Sequence, residues 1–166
     1  MELLVIKNGK LCIGNLAIAF PEGARFEPEM LVVDGITFVR DGVPKIDIDI
    51  HYSSEDMFWA DVFDYEGDSA EGNHITLSDV EAFDCHGLAG KAIKSAWIEE
   101  DAAEENFATE LHWASFFPAH DKTVGMRITI TWHVRRIALK DAVAEIEYLL
   151  AQEPIAGMIQ SIEKIN

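Results

Sequence analysis

The sequence predicts an α+β fold, a mostly antiparallel sheet packed by a C-terminal helix pair and a short middle helix. Three patterns carry that reading. Residues 45–52 alternate, with Ile46, Ile48, Ile50 and Tyr52 opposed to Lys45, Asp47, Asp49 and His51. Residues 107–135 alternate in two runs around Pro118–Thr123. Residues 139–150 instead repeat at helical spacing. A period of two marks a half-buried strand, and a period near 3.6 marks an amphipathic helix.

The elements follow in chain order. Leu3–Ile6 and Leu11–Ile13 flank Asn8-Gly9, a two-residue turn signal because both positions tolerate positive φ. Residues 16–20 continue extended to Pro21-Glu22-Gly23. Leu31–Val33 and Ile36–Val39 surround Asp34-Gly35, a second turn or a bulge. Ser53-Ser54-Glu55-Asp56 reads as a helix start, a serine cap with acids in the first turn. Met57, Phe58, Val62, Phe63 and Tyr65 supply the stripe of a helix over 55–65, and 66–74 read as a loop. Strands over 80–83 and 91–98 bracket a turn at Cys85–Gly90.

In the long hairpin, Phe107, Thr109, Leu111 and Trp113 alternate with Ala108, Glu110, His112 and Ala114. A pivot near His120 pairs Leu111 with Ile130 and Trp113 with Ile128, putting both apolar sets on one face. Leu139, Ala142, Val143, Ile146, Leu149 and Leu150 then form a helix stripe. Pro154 opens a second short helix carrying Ile155, Met158, Ile159 and Ile162. No repeat or linker divides residues 1–166, so a single domain is expected.

Composition excludes several partners. Thirteen Lys and Arg against thirty Asp and Glu give a formal charge of −17. Nucleic acid and anionic membranes are disfavoured, since both are held by clustered basic residues. No apolar run approaches the roughly 20 residues of a membrane span, and the first residues lack a signal-peptide pattern. A cytoplasmic location is the expectation. Cys12 and Cys85 form no Cys-x-x-Cys pair and read as buried thiols, a bridge between them being the other option.

Each near-match to a chemical motif fails at a named position. Asp84-Cys85-His86 sets a thiol beside an imidazole in sequence, but neighbouring strand side chains point to opposite faces. Gly87-x-x-Gly90-Lys91 lacks the spacing of a phosphate loop and the Ser or Thr after Lys. The segment from Asp64 has Ser69 and Ile75 where a calcium loop needs Gly and Glu. His112 and His133 share the polar face of the hairpin with Glu110. The pivot above sets them four residues apart along the ladder, about 13 Å at 3.3 Å per residue. That is too far to share a metal ion, and they read as solvated sheet-face histidines. No catalytic, cofactor-binding or metal-ligating residue is assigned, and no cofactor is expected.

Acidity has a local form. From Ile46 to Gly90 there are twelve Asp or Glu and no Lys or Arg. The bland explanation is a solvated face that keeps the protein soluble. The functional one is a docking surface for a basic protein partner, carried by Asp47, Asp49, Asp56, Asp61, Asp64, Glu66 and Asp68. Phe58, Trp59, Phe63 and Tyr65 would be its anchors if they are not core. The alternative function is a small-ligand protein or enzyme using a pocket between sheet and helices, with His112, Glu110 or His133 as polar groups.

Two sequence patterns complete the picture: Phe20-Pro21-Glu22-Gly23 within the early hairpins, and the closing Ile159-Gln160-Ser161-Ile162. With the order of hairpins, middle helix, meander and closing helix, the chain resembles the small α+β fold shared by the photosystem PsbP subunit, a Ran-binding import factor and bacterial DcrB-type proteins. That resemblance implies an antiparallel sheet flanked by helices and a role in binding or assembly. It carries over no site residue.

Overall fold

The structure, a computed structural model, describes residues 5–7, 10–13, 15–19, 25–27, 30–37, 45–68, 74–100, 106–119, 124–153 and 155–165. In chain order the strands are β1 (Val5–Lys7), β2 (Lys10–Ile13), β3 (Leu16–Ala19), β4 (Arg25–Glu27), β5 (Met30–Thr37) and β6 (Lys45–Ser54). Helix α1 (Glu55–Asp68) follows. Next come β7 (His74–Thr76), β8 (Glu81–Cys85), β9 (Leu88–Glu100), β10 (Asn106–Pro118) and β11 (Val124–Ala138). A 3-10 turn at Leu139–Asp141 leads into α2 (Ala142–Leu150), α3 (Ile155–Gln160) and β12 (Glu163–Lys164). The α+β reading holds.

The described strands make two antiparallel sheets. The larger runs β4-β5-β6-β11-β10-β9-β7, with β8 also on the outer edge of β9; the smaller runs β1-β2-β3-β12. In the small sheet, Val5 opposite Cys12 and Lys7 opposite Lys10 leave two intervening residues. This is the spacing that Asn8-Gly9 predicts, although that dipeptide lies outside the described residues. Asp34-Gly35 is a bulge, since β5 is one strand whose register on β6 shifts between Val33 and Ile36.

One face of the large sheet carries the main core. Ile46, Ile48 and Ile50 of β6, Leu111 and Trp113 of β10, and Met126, Ile128, Ile130 and Trp132 of β11 all turn inward. Against them pack Ala142, Ile146 and Leu149 of α2, Ile155, Met158 and Ile159 of α3, and Leu11, Leu16 and Ile18 of the small sheet. Of the C-terminal stripes read from sequence, Ala142, Ile146, Leu149, Ile155, Met158, Ile159 and Ile162 are buried, and Leu139, Val143 and Leu150 are partly so. The backbone N–H of Ala19 donates to Ser161 Oγ at 2.9 Å, and the thiol of Cys85 donates to Ile159 O at 3.3 Å. Both cysteines are free thiols, Cys85 buried and Cys12 partly buried. Burial pushes the Cys85 thiol up from its ordinary value.

Two details of the long hairpin differ from expectation. Leu111 pairs with Trp132, and Trp113 with Ile130. The strands are therefore slid by two residues from a pivot at His120. A slip of two keeps every side chain on its face, so alternation alone did not distinguish the two registers. Alternation also breaks at a bulge between Ala108 and Glu110. Ala108 joins the main core, so the simple alternation read through Phe107 and Thr109 stops there.

Helix α1 lies on the opposite face. Ser54 caps it, accepting the Met57 backbone N–H on Oγ at 3.1 Å, as the Ser-Ser-Glu-Asp start predicts. Phe58 is fully buried with Ile93, Ala114 and Phe116, and Trp59 and Val62 pack beside them. Phe58 stacks on Phe116 with centroids 5.7 Å apart. Met57, assigned to the buried stripe from sequence, is 58% exposed. It is next to Phe58 in the chain, about 100° around the helix from the face that meets the sheet.

Candidate functional site

The large sheet turns a polar strip toward α1, and the site grows out of that strip. The residues of one row across the sheet are Thr76 on β7, Ser95 on β9, His112 on β10 and Thr131 on β11. The next row holds His74, Trp97, Glu110 and His133. Strands stand about 4.8 Å apart, so β7 and β10 are separated by the width of β9. Ser95 is small enough for imidazoles from both sides to meet above it. His74 Nε2 lies 3.2 Å from His112 Nδ1, and Ser95 Oγ lies 3.2 Å from the first and 3.4 Å from the second. The two rings are nearly parallel, at 22° with centroids 5.2 Å apart.

Proton bookkeeping fixes one tautomer. An ionised carboxylate only accepts, so the contact of 3.1 Å between His112 Nε2 and Glu110 Oε1 places the proton on that nitrogen. In the neutral ring His112 Nδ1 is then an acceptor for His74 Nε2–H or Ser95 Oγ–H. The cluster is buried: His74 is 4%, Ser95 4% and His112 8% exposed. Desolvation first, and then the neighbouring His112, lower the His74 pKa to about 4, while Glu110 pulls it upward. At neutral pH His74 is uncharged.

The solvated-histidine reading is thus corrected for His112, which α1 and β7 cover. Its separation from His133 is two residues along the ladder rather than four, because Glu110 pairs with His133 and His112 with Thr131. Among the described residues no group of three or more His, Cys, Asp or Glu is arranged to hold a metal ion.

A cavity of about 280 Å³ opens above this floor. His74, Ser95, Glu110 and His112 line it from below, and Ala114, Thr129 and Thr131 continue the sheet wall. Asp49 of β6 and Arg127 of β11 close one side, and Asp61 and Val62 of α1 form the roof. Arg127 Nη1 donates to Asp61 Oδ2 at 2.6 Å, and its guanidinium lies 5.6 Å from the Phe58 ring centroid. Glu110 and His112, named from sequence, line the cavity. His133 is not among its lining residues. His74 was missed because it fell inside the polar, glycine-bearing stretch 66–74 that reads as loop, whereas it opens β7, and three residues of strand leave no period to detect.

The acidic residues divide. Asp49 and Asp61 line the cavity, and Asp56 is exposed in the first turn of α1. Asp47, Asp64, Glu66 and Asp68 fall within β6 and α1, but their side chains are outside those described. Cations from elsewhere in the chain reach the acidic stretch. Lys91 Nζ lies 2.9 Å from Glu55, Lys94 Nζ 3.2 Å from Glu81, and Arg127 pairs with Asp61 as above. The hydrogen bond from Lys91 holds the Glu55 carboxyl below its ordinary pKa. A run without basic residues in sequence is therefore partly neutralised in space.

The sequence near-matches resolve structurally. Cys85 and His86 end the β8–β9 hairpin, where His86 adopts φ 50° and Gly87 φ 79°. The His86 ring nitrogen Nε2 hydrogen-bonds the Gln160 carbonyl, and the Cys85 thiol bonds Ile159 O. Both side chains tie the hairpin to α3.

No family model matches the chain, and no curated protein matches it. Among solved structures it is similar to cyanobacterial PsbP (CyanoP) from Synechocystis sp. PCC 6803, at 13% identity and TM-score 0.44, over 90% of this chain and 86% of that one. It is also similar to the Ran-binding protein Mog1p of Saccharomyces cerevisiae, at 10% identity and TM-score 0.43, over 92% and 91%. Both are of the kinds of protein named above from the order of elements.

Proposed function

We propose that this chain is a binding protein whose working face is the α1 side of the large sheet and whose partner is basic. The observation that carries this is the charge balance there. Lys91 and Arg127 each sit in an ion pair with an acid of α1, and with Asp49, Glu55, Asp56, Asp61 and Glu110 on that side the acids outnumber them. Surface ion pairs of this kind contribute at most about 1 kcal/mol to stability, so the surplus speaks to recognition and solubility rather than to fold.

Catalysis by Ser95 with His112 and Glu110 is disfavoured by the location of the serine. Ser95 lies mid-strand, paired to His112 on one side and Thr76 on the other. Its backbone is committed to two ladders, whereas acyl transfer needs free N–H donors aimed at a developing oxyanion.

The test is calorimetric titration with a Lys- and Arg-rich peptide at low and high salt. Affinity should fall as salt rises, because exposed charges are screened. Asp56→Lys should weaken binding several-fold, and Asp141→Lys, an equal charge change at an exposed residue before α2, should weaken it much less. Equal effects of the two would reduce the acidity to a solubility device. A second reading, small-ligand recognition, is favoured by the cavity itself, whose volume lies at the small end of ligand pockets.

A further inference from the structure

We infer that His74, His112 and Ser95 form a seat for one divalent transition-metal ion on the floor of the cavity, held chiefly by the two imidazoles. Charge does not select this guest, since Glu110 is paired with His112 and Arg127 with Asp61. The inference concerns the cavity floor and does not depend on a basic protein meeting the wider face.

Distance is the first argument. The centroids of the two rings are 5.2 Å apart while His74 Nε2 and His112 Nδ1 are 3.2 Å apart, so the rings meet edge to edge and each nitrogen aims into the gap between them. A tetrahedral ion bound at about 2.0–2.1 Å sets neighbouring ligand atoms roughly 3.3–3.4 Å from one another. The triangle made by the two nitrogens and Ser95 Oγ has sides of 3.2, 3.2 and 3.4 Å. All three sides fall close to that edge length. A lone hydrogen bond between the rings would fix only one of them.

The ring protons fit as well. Without an ion, one proton lies between the facing nitrogens, on whichever ring carries it. Imidazole binds a metal through a bare nitrogen. The ion takes the place of that proton, which leaves or moves to Nδ1 of His74. His112 keeps its Nε2–H for Glu110 Oε1 at 3.1 Å. A carboxylate on the far nitrogen is what fixes the tautomer and direction of a metal-bound histidine and makes it a stronger ligand. Either protonation state of His112 gives the same result, because only the proton in the gap is displaced.

The surroundings set the kind of ion. Two imidazoles suit zinc, copper or nickel, whereas calcium and magnesium take oxygen ligands. The serine hydroxyl is a weak third ligand, and among the described residues no third His, Cys, Asp or Glu is arranged to join. All three seat residues line the cavity, so a remaining position faces it and is open to water or a guest. That arrangement belongs to an exchangeable ion with a working face rather than to a closed structural one.

The test titrates chelator-treated, tag-free protein with zinc chloride by calorimetry and with cobalt chloride by visible absorption. One equivalent of each should bind, cobalt should show the strong visible bands of low coordination number, and zinc should bleach them. In the native protein zinc should shift the ring signals of His74 and His112 and leave those of His86 and His133 in place. His74→Ala and His112→Ala should each weaken zinc at least about 100-fold, and Glu110→Gln about 10–100-fold, the range for an outer partner. His133→Ala should change little. If a buried-histidine variant fails to fold, the ring shifts of the native protein decide. Absence of one-equivalent binding would overturn the inference, as would shifts confined to other histidines or indifference to both histidine substitutions. If the peptide titration of the wider face fails while zinc still binds here, this inference survives and the docking reading does not.

Discussion

His74 sets the acid sensitivity expected of this protein. Its pKa falls from 6.5 in the unfolded chain to about 4 in the fold. Between those values the unfolded chain binds a proton that the folded chain refuses, so stability rises with pH across that window. The contribution is fully present above 6.5 and is lost as pH drops toward 4, with Glu110 and His112 the titratable neighbours. A shift of this size corresponds to roughly 3 kcal/mol. Urea midpoints measured from pH 7 to pH 4.5 should fall steeply for the native chain and less for His74→Gln. Parallel curves would show that acid sensitivity originates elsewhere. At this scale the sequence was only half legible. Glu110 and His112 alternate onto one face, so their company was readable. His74 joins them from a strand 38 residues away, and a contact between distant segments has no local pattern.

At the scale of elements, the described side chain of α1 that is fully buried against the sheet is Phe58, packed on Ile93, Ala114 and Phe116. Phe58→Ala should cost about 3–5 kcal/mol, the usual range for a buried aromatic. Chemical denaturation checks the cost, and a loss well under about 2 kcal/mol would show that other contacts hold the helix. The helix itself was readable, since its serine cap and first-turn acids are local signals. Its burial was not, and Met57 shows why: it fits the stripe by spacing, yet it is exposed. The hairpin register failed for a similar reason. A slide of two residues preserves every inward and outward assignment.

The whole molecule is built on a core that crosses from one sheet to the other. Leu11, Leu16 and Ile18 belong to the same buried cluster as Ile128, Ile146 and Ile159. A shared core predicts one cooperative unit over the described chain, with far-UV and near-UV circular dichroism changing together on heating. Two separated transitions would divide the sheets into independent units. The α+β class was legible because periods of two and 3.6 are strong where they run long, as in β6, β11 and α2. The acidic surface was legible as composition but not as geography. Lys91, Lys94 and Arg127 follow the 46–90 stretch in sequence and lie against it in space, because β9 and β11 neighbour the elements that carry the acids.

The bulge at Thr109 adds a consequence for how the sequence can change. Ala108 faces the main core and Glu110 faces the cavity, although regular alternation would put them on one side. The extra residue is accommodated out of phase, between partners Ile98 and Trp97 that are themselves adjacent on β9. Removing Thr109 makes Ala108 and Glu110 chain neighbours, which ordinary alternation sends to opposite faces, so each keeps its side. A single-codon deletion at Thr109 therefore spares both the core and the site, whereas the same deletion elsewhere in β10 turns over every side chain on one side of it.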